Sequence, residues 1–302
     1  MKIIVTGGAG FIGSHIVDRL LSLGHKVVVI DNESSEVHNQ FYFNNDATYY
    51  KLDIANYEDT RHLYDDVDYV FHCAAESRIQ PAIENPLLAV RTNTLGTATV
   101  LQCAREAKVK RVMYSSTSSG YGLLNTPPLN EGMPDDCLNP YSVSKVSGEK
   151  LCKMYTDLFG LETVIFRYFN VYGPREPLKG PYAPVVGLFL RQAMKGEPLT
   201  IVGDGNQRRD FTHVDDVVEA NILAMQHVEL YGGFKTYGMV YNVGTGKNHS
   251  VLELARMISD VVKFIPPRPA ESRVTLADKT RIYETFGWTP SKKIEDYIKQ
   301  RL

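Results

Sequence analysis

Short, almost entirely apolar runs alternate with longer amphipathic stretches through the first half of this chain. Runs without polar alternation are typical of strands that are covered on both faces of a parallel sheet. The predicted strands are Lys2–Thr6, Lys26–Ile30, Thr48–Leu52, Tyr69–Cys73, Arg111–Ser115 and Thr163–Arg167. The predicted helices between them are Gly10–Leu23, Tyr57–Tyr64, Leu87–Ala107 and Pro140–Phe159. This alternation predicts an α/β protein with a Rossmann-type, doubly wound parallel sheet.

The pattern changes after Tyr168. Proline and glycine cluster in VYGPREPLKGPYAP and again in PPRP, and the predicted elements become shorter. We interpret residues 1–168 as the Rossmann-type domain and residues 169–302 as mainly a smaller α/β lobe for substrate. A strand at Tyr241–Gly244, within a return segment near 239–247, is expected to rejoin the large domain. Helices in the smaller lobe are predicted at Val185–Lys195, Val214–Gln226 and Val251–Val262.

Composition narrows the class of protein. The 302 residues include 33 basic and 35 acidic side chains, for a net charge of −2. This mixture predicts neither a nucleic-acid footprint nor binding to an anionic membrane, and no apolar run approaches the roughly 20 residues of a membrane-spanning helix. The cysteines show neither metal-ligand nor disulfide-like spacing, so we expect reduced thiols, no metal site and a cytoplasmic location. They are Cys73, Cys103, Cys137 and Cys152.

Glycines at positions 7, 10 and 13 follow the first predicted strand directly and open the first predicted helix. Gly7 allows a tight turn, Gly10 lets the backbone approach a pyrophosphate, and Gly13 lets the helix pack on the strand. The helix N-terminus then presents free N–H groups and partial positive charge to the phosphates. The spacing predicts a dinucleotide site that includes Phe11 and Ile12; the alternative is a glycine turn that binds nothing.

The next strand end indicates which dinucleotide is bound. Asp31 lies 18 residues after Gly13, where a carboxylate accepts hydrogen bonds from the adenosine ribose and repels a 2′-phosphate. Asn32 stands beside it where an arginine would favour NADP, so the predicted cofactor is NAD. Later strand ends and the following helix are expected to line the same groove, although such residues are often only turn or packing residues. They are Asp53, Ile54, Ala74, Ala75 and Asn93.

Tyr141 and Lys145 in YSVSK lie four residues apart, on one face of a predicted helix. A tyrosine of ordinary pKa, about 10, is a poor base at neutral pH. The lysine and a positive nicotinamide ring are expected to lower the pKa of Tyr141, and the lysine can also hold the nicotinamide ribose. Hydroxyls of the segment YSSTSSGYG, at the end of a buried strand, face the ligand crevice, and one can relay a proton to Tyr141. The alternatives are a solvated tyrosine and lysine and a plain Ser/Gly loop.

These segments, taken in order, resemble the extended short-chain dehydrogenase/reductase superfamily. Within it the chain is most similar to the NAD-dependent nucleotide-sugar epimerase/dehydratase branch, over nearly its whole length. By position, the resemblance implies that Thr117 is the catalytic Ser/Thr, Tyr141 the base and Lys145 the ribose-binding lysine. The segments are TGGAGFIGSH, the Asp31 strand end, HCAAES, SSTSSGYG, YSVSK, RYFNVYGPR and GDGNQRRDFTHVDD.

The resemblance also implies roles for residues outside the catalytic set. Arg209 and Arg268 would grip the substrate diphosphate, as guanidinium groups bind phosphate oxygens bidentately; the alternative is a surface salt bridge. Asn170 would contact the diphosphate-sugar and Glu271 the uridine ribose. The other implied cofactor contacts are Ser77, Ser115, Tyr168 and Val171. The other implied substrate contacts are Ser77, Thr117, Ser118, Ser119, Tyr141, Val185 and Thr275.

The two residues after Thr117 separate reactions within the branch. Similar 4,6-dehydratases carry Asp-Glu where this chain has Ser118-Ser119, and neither serine can act as a carboxylic acid. Similar UDP-glucuronate decarboxylases keep a glutamate at the position of Ser119, and reductases often prefer NADP. The resemblance therefore implies 4-epimerisation of a UDP-sugar: Tyr141 takes the 4-OH proton, NAD takes the C4 hydride, and the 4-keto sugar turns before the hydride returns. UDP-glucuronate decarboxylation or 4-epimerisation, and a non-catalytic NAD sensor, remain alternatives.

The resemblance also implies which sugars are accepted and how copies of the chain assemble. Thr275 falls where a bulky tyrosine restricts similar enzymes to glucose and galactose, so UDP-GlcNAc and UDP-GalNAc are also expected substrates. The helices Leu87–Ala107 and Pro140–Phe159 are those that similar proteins pair into a four-helix contact. A homodimer is therefore expected, with NAD tightly bound and recycled.

Overall fold

The computed structural model describes residues 1–35, 40–177, 183–228, 236–267 and 272–302. The strands are β1 (Lys2–Thr6), β2 (Lys26–Asp31), β3 (Thr48–Lys51), β4 (Tyr69–His72), β5 (Arg111–Thr117), β6 (Glu162–Tyr168), β7 (Val171–Tyr172), β8 (Leu199–Val202), β9 (Arg208–Asp210), β10 (Thr212–His213), β11 (Met239–Val243), β12 (Asn248–Ser250) and β13 (Val262–Ile265). The α-helices are α1 (Phe11–Ser22), α2 (Tyr57–Thr60), α3 (Ile79–Glu84), α4 (Pro86–Val90), α5 (Gly96–Glu106), α6 (Pro140–Phe159), α7 (Val185–Met194), α8 (Val214–Gln226), α9 (Val251–Arg256), α10 (Thr280–Phe286) and α11 (Ile294–Lys299).

A parallel sheet of seven strands organises the described part of the chain, in the order β11-β6-β5-β4-β1-β2-β3. The chain moves outward from β1 to β3 and then returns to place β4 on the other side of β1. Such a reversal opens a crevice at the carboxyl ends of the two central strands, where ligands bind in sheets of this kind. The predicted α/β fold class is confirmed.

Helices cover both faces of the sheet because the strands are apolar on both sides. Alternate residues of β1 point to opposite faces: Ile3 and Val5 pack with Leu20 of α1, whereas Ile4 packs with Leu101 of α5. All five side chains are fully buried. Each such burial contributes about 1.5–3 kcal/mol relative to exposure. The apolar runs in the sequence thus become the central layer of the fold.

The smaller elements after β6 form a second core. β7 pairs with β10, β8 with β13 and β9 with β12, around buried side chains such as Phe189 and Leu254. β11 leaves this region and pairs in parallel with β6, with Val240 opposite Ile165. The structure thus gives the segment near 241–244 a strand at the edge of the main sheet, while the division of the chain at Tyr168 stays a prediction.

Three predicted helices differ from the structure. The helix expected over Val251–Val262 ends at Arg256, and the prediction is wrong beyond that residue. Val262–Ile265 instead forms β13, because its backbone pairs with β8, a distant partner that local periodicity does not reveal. The stretch expected as one helix from Leu87 to Ala107 contains a π-helical turn at Arg91–Leu95.

The short helix expected over Tyr57–Tyr64 is α-helical to Thr60 and then 3₁₀. Elsewhere the predicted boundaries of the main strands and helices agree with the structure within about two residues. Within the described ranges, every helix is too short or too polar to cross a bilayer.

Candidate active site

The glycine turn after β1 is shaped by contacts that leave no space for side chains. Gly7 has φ of +68°, and a Cβ there would lie 2.6 Å from the backbone nitrogen of Ala74. A Cβ on Gly13 would lie 2.2 Å from the carbonyl oxygen of Gly7. The start of α1 is therefore packed against the end of β1, with the end of β4 beside it. This bare backbone at a helix N-terminus is the cradle that a pyrophosphate requires.

A cavity of about 190 Å³ opens beside this turn, and we call it the glycine-loop cavity. Asp31 lies in its wall, where its carboxylate accepts hydrogen bonds from the N–H groups of Ala9 (3.0 Å) and Glu33 (2.8 Å). Burial raises the pKa of Asp31, and these two donors lower it in part. Most predicted cofactor contacts line this cavity: Gly7, Gly10, Phe11, Ile12, Gly13, Asp31, Asn32, Ile54, Ala74, Ala75, Ser77 and Ser115.

Asp53 and Asn93, also predicted to contact the cofactor, do not line this cavity. The Asp53 carboxylate lies 2.6 Å from Nη1 of Arg91. Asn93 is fully buried in the π-helical turn, where its amide bonds both the N–H (2.8 Å) and the carbonyl oxygen (2.9 Å) of Glu76. Asn93 therefore holds the segment after β4 in place, and this segment forms part of the cavity wall.

A larger cavity of about 460 Å³ adjoins the first, and we call it the Tyr141 cavity. The two cavities share wall residues, including Phe11, Ile12 and Ser77. Arg268 and Glu271 lie outside the described residues. The remaining predicted substrate contacts converge on this one cavity, together with Tyr168 and Val171: they are Ser77, Thr117, Ser118, Ser119, Tyr141, Asn170, Val185, Arg209 and Thr275.

The start of α6 positions Tyr141. Asn139 caps the helix, because its side-chain oxygen accepts from the N–H of Ser142 at 2.9 Å, and Pro140 occupies the first turn. This is the helix start that the sequence predicts. Strand β5 runs two residues further than predicted and ends at Thr117, whose hydroxyl hydrogen-bonds Tyr141.

The electrostatics of Tyr141 differ from the sequence-based expectation. Burial raises the pKa of Tyr141, and the hydrogen bond with Thr117 offsets this only in part. The sequence predicts a lowered pKa for Tyr141, but the protein's own groups do not lower it below its ordinary value. Lys145 is 2% exposed, with Nζ 4.4 Å from the ring centre of Tyr114, and burial lowers its pKa to about 8. Lys145 is not among the groups that act on the pKa of Tyr141 in the protein alone.

A buried ionic group that sequence reasoning missed supports the end of β5. Glu149 follows Tyr141 and Lys145 at four-residue spacing on the same face of α6. Its carboxylate accepts from the hydroxyl of Ser116 at 2.5 Å and from Nε of Arg167 at 2.9 Å. Because Ser116 directly precedes Thr117, this group ties the end of β5 to the helix. The repeated spacing along α6 was a signal that could have identified Glu149.

Tyr168 and Ser115 join the two cavities on the β5–β6 side. The Tyr168 hydroxyl lies 3.2 Å from the Ser115 hydroxyl and accepts from the Asn221 amide at 2.8 Å. Sequence reasoning also missed Arg78 and Gln80, which line the Tyr141 cavity just after the end of β4. The rule that strand ends face the crevice would have included them.

Chemically, the site combines a backbone cradle for a dinucleotide with a neighbouring hydroxyl pair, Thr117 and Tyr141, that can exchange a proton with a bound hydroxyl. Among the described residues, no three His, Cys, Asp or Glu side chains come together as a metal site would require. The cysteines are free. The arrangement suits proton transfer coupled to redox chemistry at a cofactor.

Comparison with known proteins agrees with this geometry. Residues 3–244 match the sequence profile of the NAD dependent epimerase/dehydratase family. The UDP-glucose 4-epimerase of Mycolicibacterium smegmatis is 36% identical over 99% of this chain and 96% of that protein. The crystal structure of UDP-glucose 4-epimerase from Thermotoga maritima with UDP-glucose superposes with a TM-score of 0.91, at 34% identity over 99% of this chain and 96% of that one. UDP-N-acetylglucosamine 4-epimerase from Methanobrevibacter ruminantium, in complex with UDP-N-acetylmuramic acid, gives a TM-score of 0.90, with the same identity and coverage.

Proposed function

Because the chain belongs to the NAD dependent epimerase/dehydratase family, we propose that it is a 4-epimerase of UDP-sugars that retains its NAD. The observation that carries this proposal is the content of the Tyr141 cavity. Thr117 and Tyr141 lie there beside Ser118 and Ser119, and the described lining residues include no carboxylate. This set suffices for reversible oxidation of a hydroxyl and provides no acid for eliminating water.

The glycine turn and Asp31 would hold NAD in the glycine-loop cavity, and a bound NAD would supply hydride acceptance and return at C4 of the sugar. The chain's own part is to move the proton and to hold the substrate. Tyr141 takes the 4-OH proton directly or through the Thr117 hydroxyl, to which it is hydrogen-bonded. The raised pKa of Tyr141 favours the protonated phenol, which suits the second half of the reaction, in which the proton returns to the sugar oxygen.

Residues away from the reacting carbon would hold the substrate. Asn170 and Arg209 lie in the wall of the Tyr141 cavity, and we propose that they hold the diphosphate. A sugar attached through its diphosphate can then turn over within a cavity of about 460 Å³ and present its other face. Decarboxylation is disfavoured because Ser119 stands where an acid would be needed, and a sensor without turnover is disfavoured because Tyr141 and Lys145 are both in place.

Thr275 is the residue from which we propose the range of sugars that the cavity accepts. This residue is 8% exposed and lines the Tyr141 cavity, and its hydroxyl accepts weakly from the N–H of Asp210 at 3.3 Å. A threonine leaves space that a tyrosine would fill. We propose that UDP-GlcNAc and UDP-GalNAc are accepted besides UDP-glucose and UDP-galactose. Thr275→Tyr should abolish turnover of the N-acetylated pair and spare the other pair; equal loss of both would contradict this role.

We also propose a homodimer. Large apolar side chains are exposed on neighbouring helices that pack together: Leu87 on α4 is 83% exposed, Leu95 52%, and Val143 on α6 48%. Burying such a face in a four-helix contact removes this apolar surface from water. Light scattering should give twice the chain mass, and Leu87→Arg combined with Leu95→Arg should give a folded monomer. A wild-type monomer would refute the proposal.

The experiment that tests the reaction is a panel of UDP-, GDP- and dTDP-sugars incubated with purified protein and no added cofactor, with products resolved by NMR. The proposal predicts C4 epimers from UDP-sugars alone. A dehydrated or decarboxylated product, or a strict need for added NAD, would overturn it.

A further inference from the structure

The segment 173–177, which directly follows β7, forms part of the wall of both cavities, and we call it the 173–177 turn. Pro177, at its end, lines the glycine-loop cavity and the Tyr141 cavity. Arg175, within it, has φ of +65°, in the left-handed region that residues with a Cβ rarely adopt. Such a conformation persists only where the surrounding structure fixes it. The contacts of Arg175 and its neighbours therefore determine where this shared wall lies.

One face of helix α1 holds the 173–177 turn. Phe11, His15 and Asp18 share this face, because they follow one another at spacings of four and three residues. Phe11 lines both cavities. Nε2–H of His15 donates to the carbonyl oxygen of Pro174 at 2.9 Å, and the Asp18 carboxylate lies 2.7 Å from Nη2 of Arg175. The helix that begins at the glycine turn thus also fixes the turn beside the substrate cavity.

A second set of contacts joins Arg175 to the glycine turn itself. The Arg175 guanidinium lies over the ring of Tyr42, 5.1 Å from its centre. The backbone N–H of Tyr42 donates to the carbonyl oxygen of Ala9, within the glycine turn, at 2.9 Å. Asn44 donates to the Asp18 carboxylate at 2.7 Å. The side chains of Arg175 and Asp18 are only 30% and 37% exposed, so salt screens their attraction less than that of a fully exposed pair.

We infer that Arg175 is a positioning residue that fixes the shared wall on the glycine turn, so that NAD and UDP strengthen each other's binding through it. A dinucleotide on the glycine turn orders Ala9 and the start of α1, and with them the partners of Arg175. A ligand packed against the wall at Pro177 favours the same arrangement. Two ligands that favour one arrangement must raise each other's affinity by the same factor. This inference rests on the proposed function, since it assumes that the UDP part of the substrate lies in the Tyr141 cavity.

The test is equilibrium dialysis of the purified protein against labelled NAD, which gives the Kd of NAD with and without saturating UDP. In the wild type, UDP should lower this Kd roughly 5- to 150-fold, the usual range of coupling between two sites. Arg175→Asn should abolish the effect of UDP. Asparagine tolerates the left-handed conformation, so this variant removes the contacts without adding backbone strain. Arg175→Lys should retain part of the effect, because it keeps the charge without the planar guanidinium.

Arg19→Asn is the matched control, because Arg19 also lies on α1 but pairs with Glu219 of α8 at 3.8 Å; it should keep the full effect of UDP. Asp18→Asn removes the same ion pair from the other side and should lose the effect, and it decides the question if circular dichroism shows that Arg175→Asn does not fold.

If either folded variant, Arg175→Asn or Asp18→Asn, keeps the full effect of UDP, the inference is wrong. It is also wrong if the wild type binds UDP by calorimetry while its Kd for NAD stays unchanged. A protein that binds no UDP would contradict both the inference and the proposed function. Turnover is measured separately by NMR, so coupling that depends on Arg175 in a protein that forms no epimer would contradict the proposed function alone.

Discussion

The buried pair of Arg167 and Glu149 gives a quantitative prediction for the framework behind Thr117. The two side chains are 4% and 6% exposed, and Arg167 donates to both carboxylate oxygens, at 2.9 and 2.6 Å. Arg167→Met removes the cation and leaves the carboxylate buried, with the Ser116 hydroxyl as a remaining donor. Breaking a buried pair in this way costs about 3–5 kcal/mol. That is a large part of a typical total stability of about 5–15 kcal/mol.

Urea unfolding followed by circular dichroism measures this cost. Lys153→Met is the control, because the pair of Lys153 and Asp157 is 58% and 38% exposed and should contribute less than about 1 kcal/mol. The double variant Glu149→Leu/Arg167→Met leaves no unpaired charge at this site, and Asp135 keeps Lys150 at 3.1 Å. It should therefore be more stable than Arg167→Met alone. A loss below about 1 kcal/mol in Arg167→Met would refute the reasoning.

Three further predictions concern the cofactor and the proton. Gly13→Ala should release bound NAD, because its Cβ would lie 2.2 Å from the Gly7 carbonyl oxygen. Gly24→Ala strains only its own turn, at φ of +78° with open space around it, and should retain NAD in the same chromatographic assay. Tyr141→Phe should reduce kcat by roughly 10²–10⁴-fold, the range for a lost general acid–base, while bound NAD measured by absorbance stays unchanged. Lys145 has a folded pKa of about 8 against 10.5 when unfolded, so the unfolded state binds more protons between these values. The free energy of unfolding of the wild type should therefore rise from pH 8 to 10.5 relative to that of Lys145→Met. If the difference between the two proteins stays constant across that range, the charge of Lys145 is not buried as the structure has it.

The main sheet was predictable because its signals are local. Ile3, Ile4 and Val5 lie between two layers of helices, so the whole run must be apolar. A short apolar run can be recognised in the sequence without knowing which strands it pairs with. The glycine spacing is readable for a similar reason, since Gly7 and Gly13 are fixed by contacts within the same βα turn.

Features that depend on distant partners were not predictable. β13 is a strand only because β8, more than fifty residues earlier, pairs with it, and the two-residue strands β7 and β10 are too short to show any period. The effect of burial on the pKa of Tyr141 was not predictable for the same reason, because burial around α6 is a property of the folded site.

The most direct test of the central claim uses a UDP-sugar that carries deuterium at C4. The claim is that hydride leaves C4 and returns within the same site, while Tyr141 and Thr117 exchange only the hydroxyl proton. The purified protein, without added NAD, should form the C4 epimer with the deuterium still on C4 by NMR. Epimer formed with loss of deuterium to solvent would show that a proton is removed from carbon, and it would contradict the account.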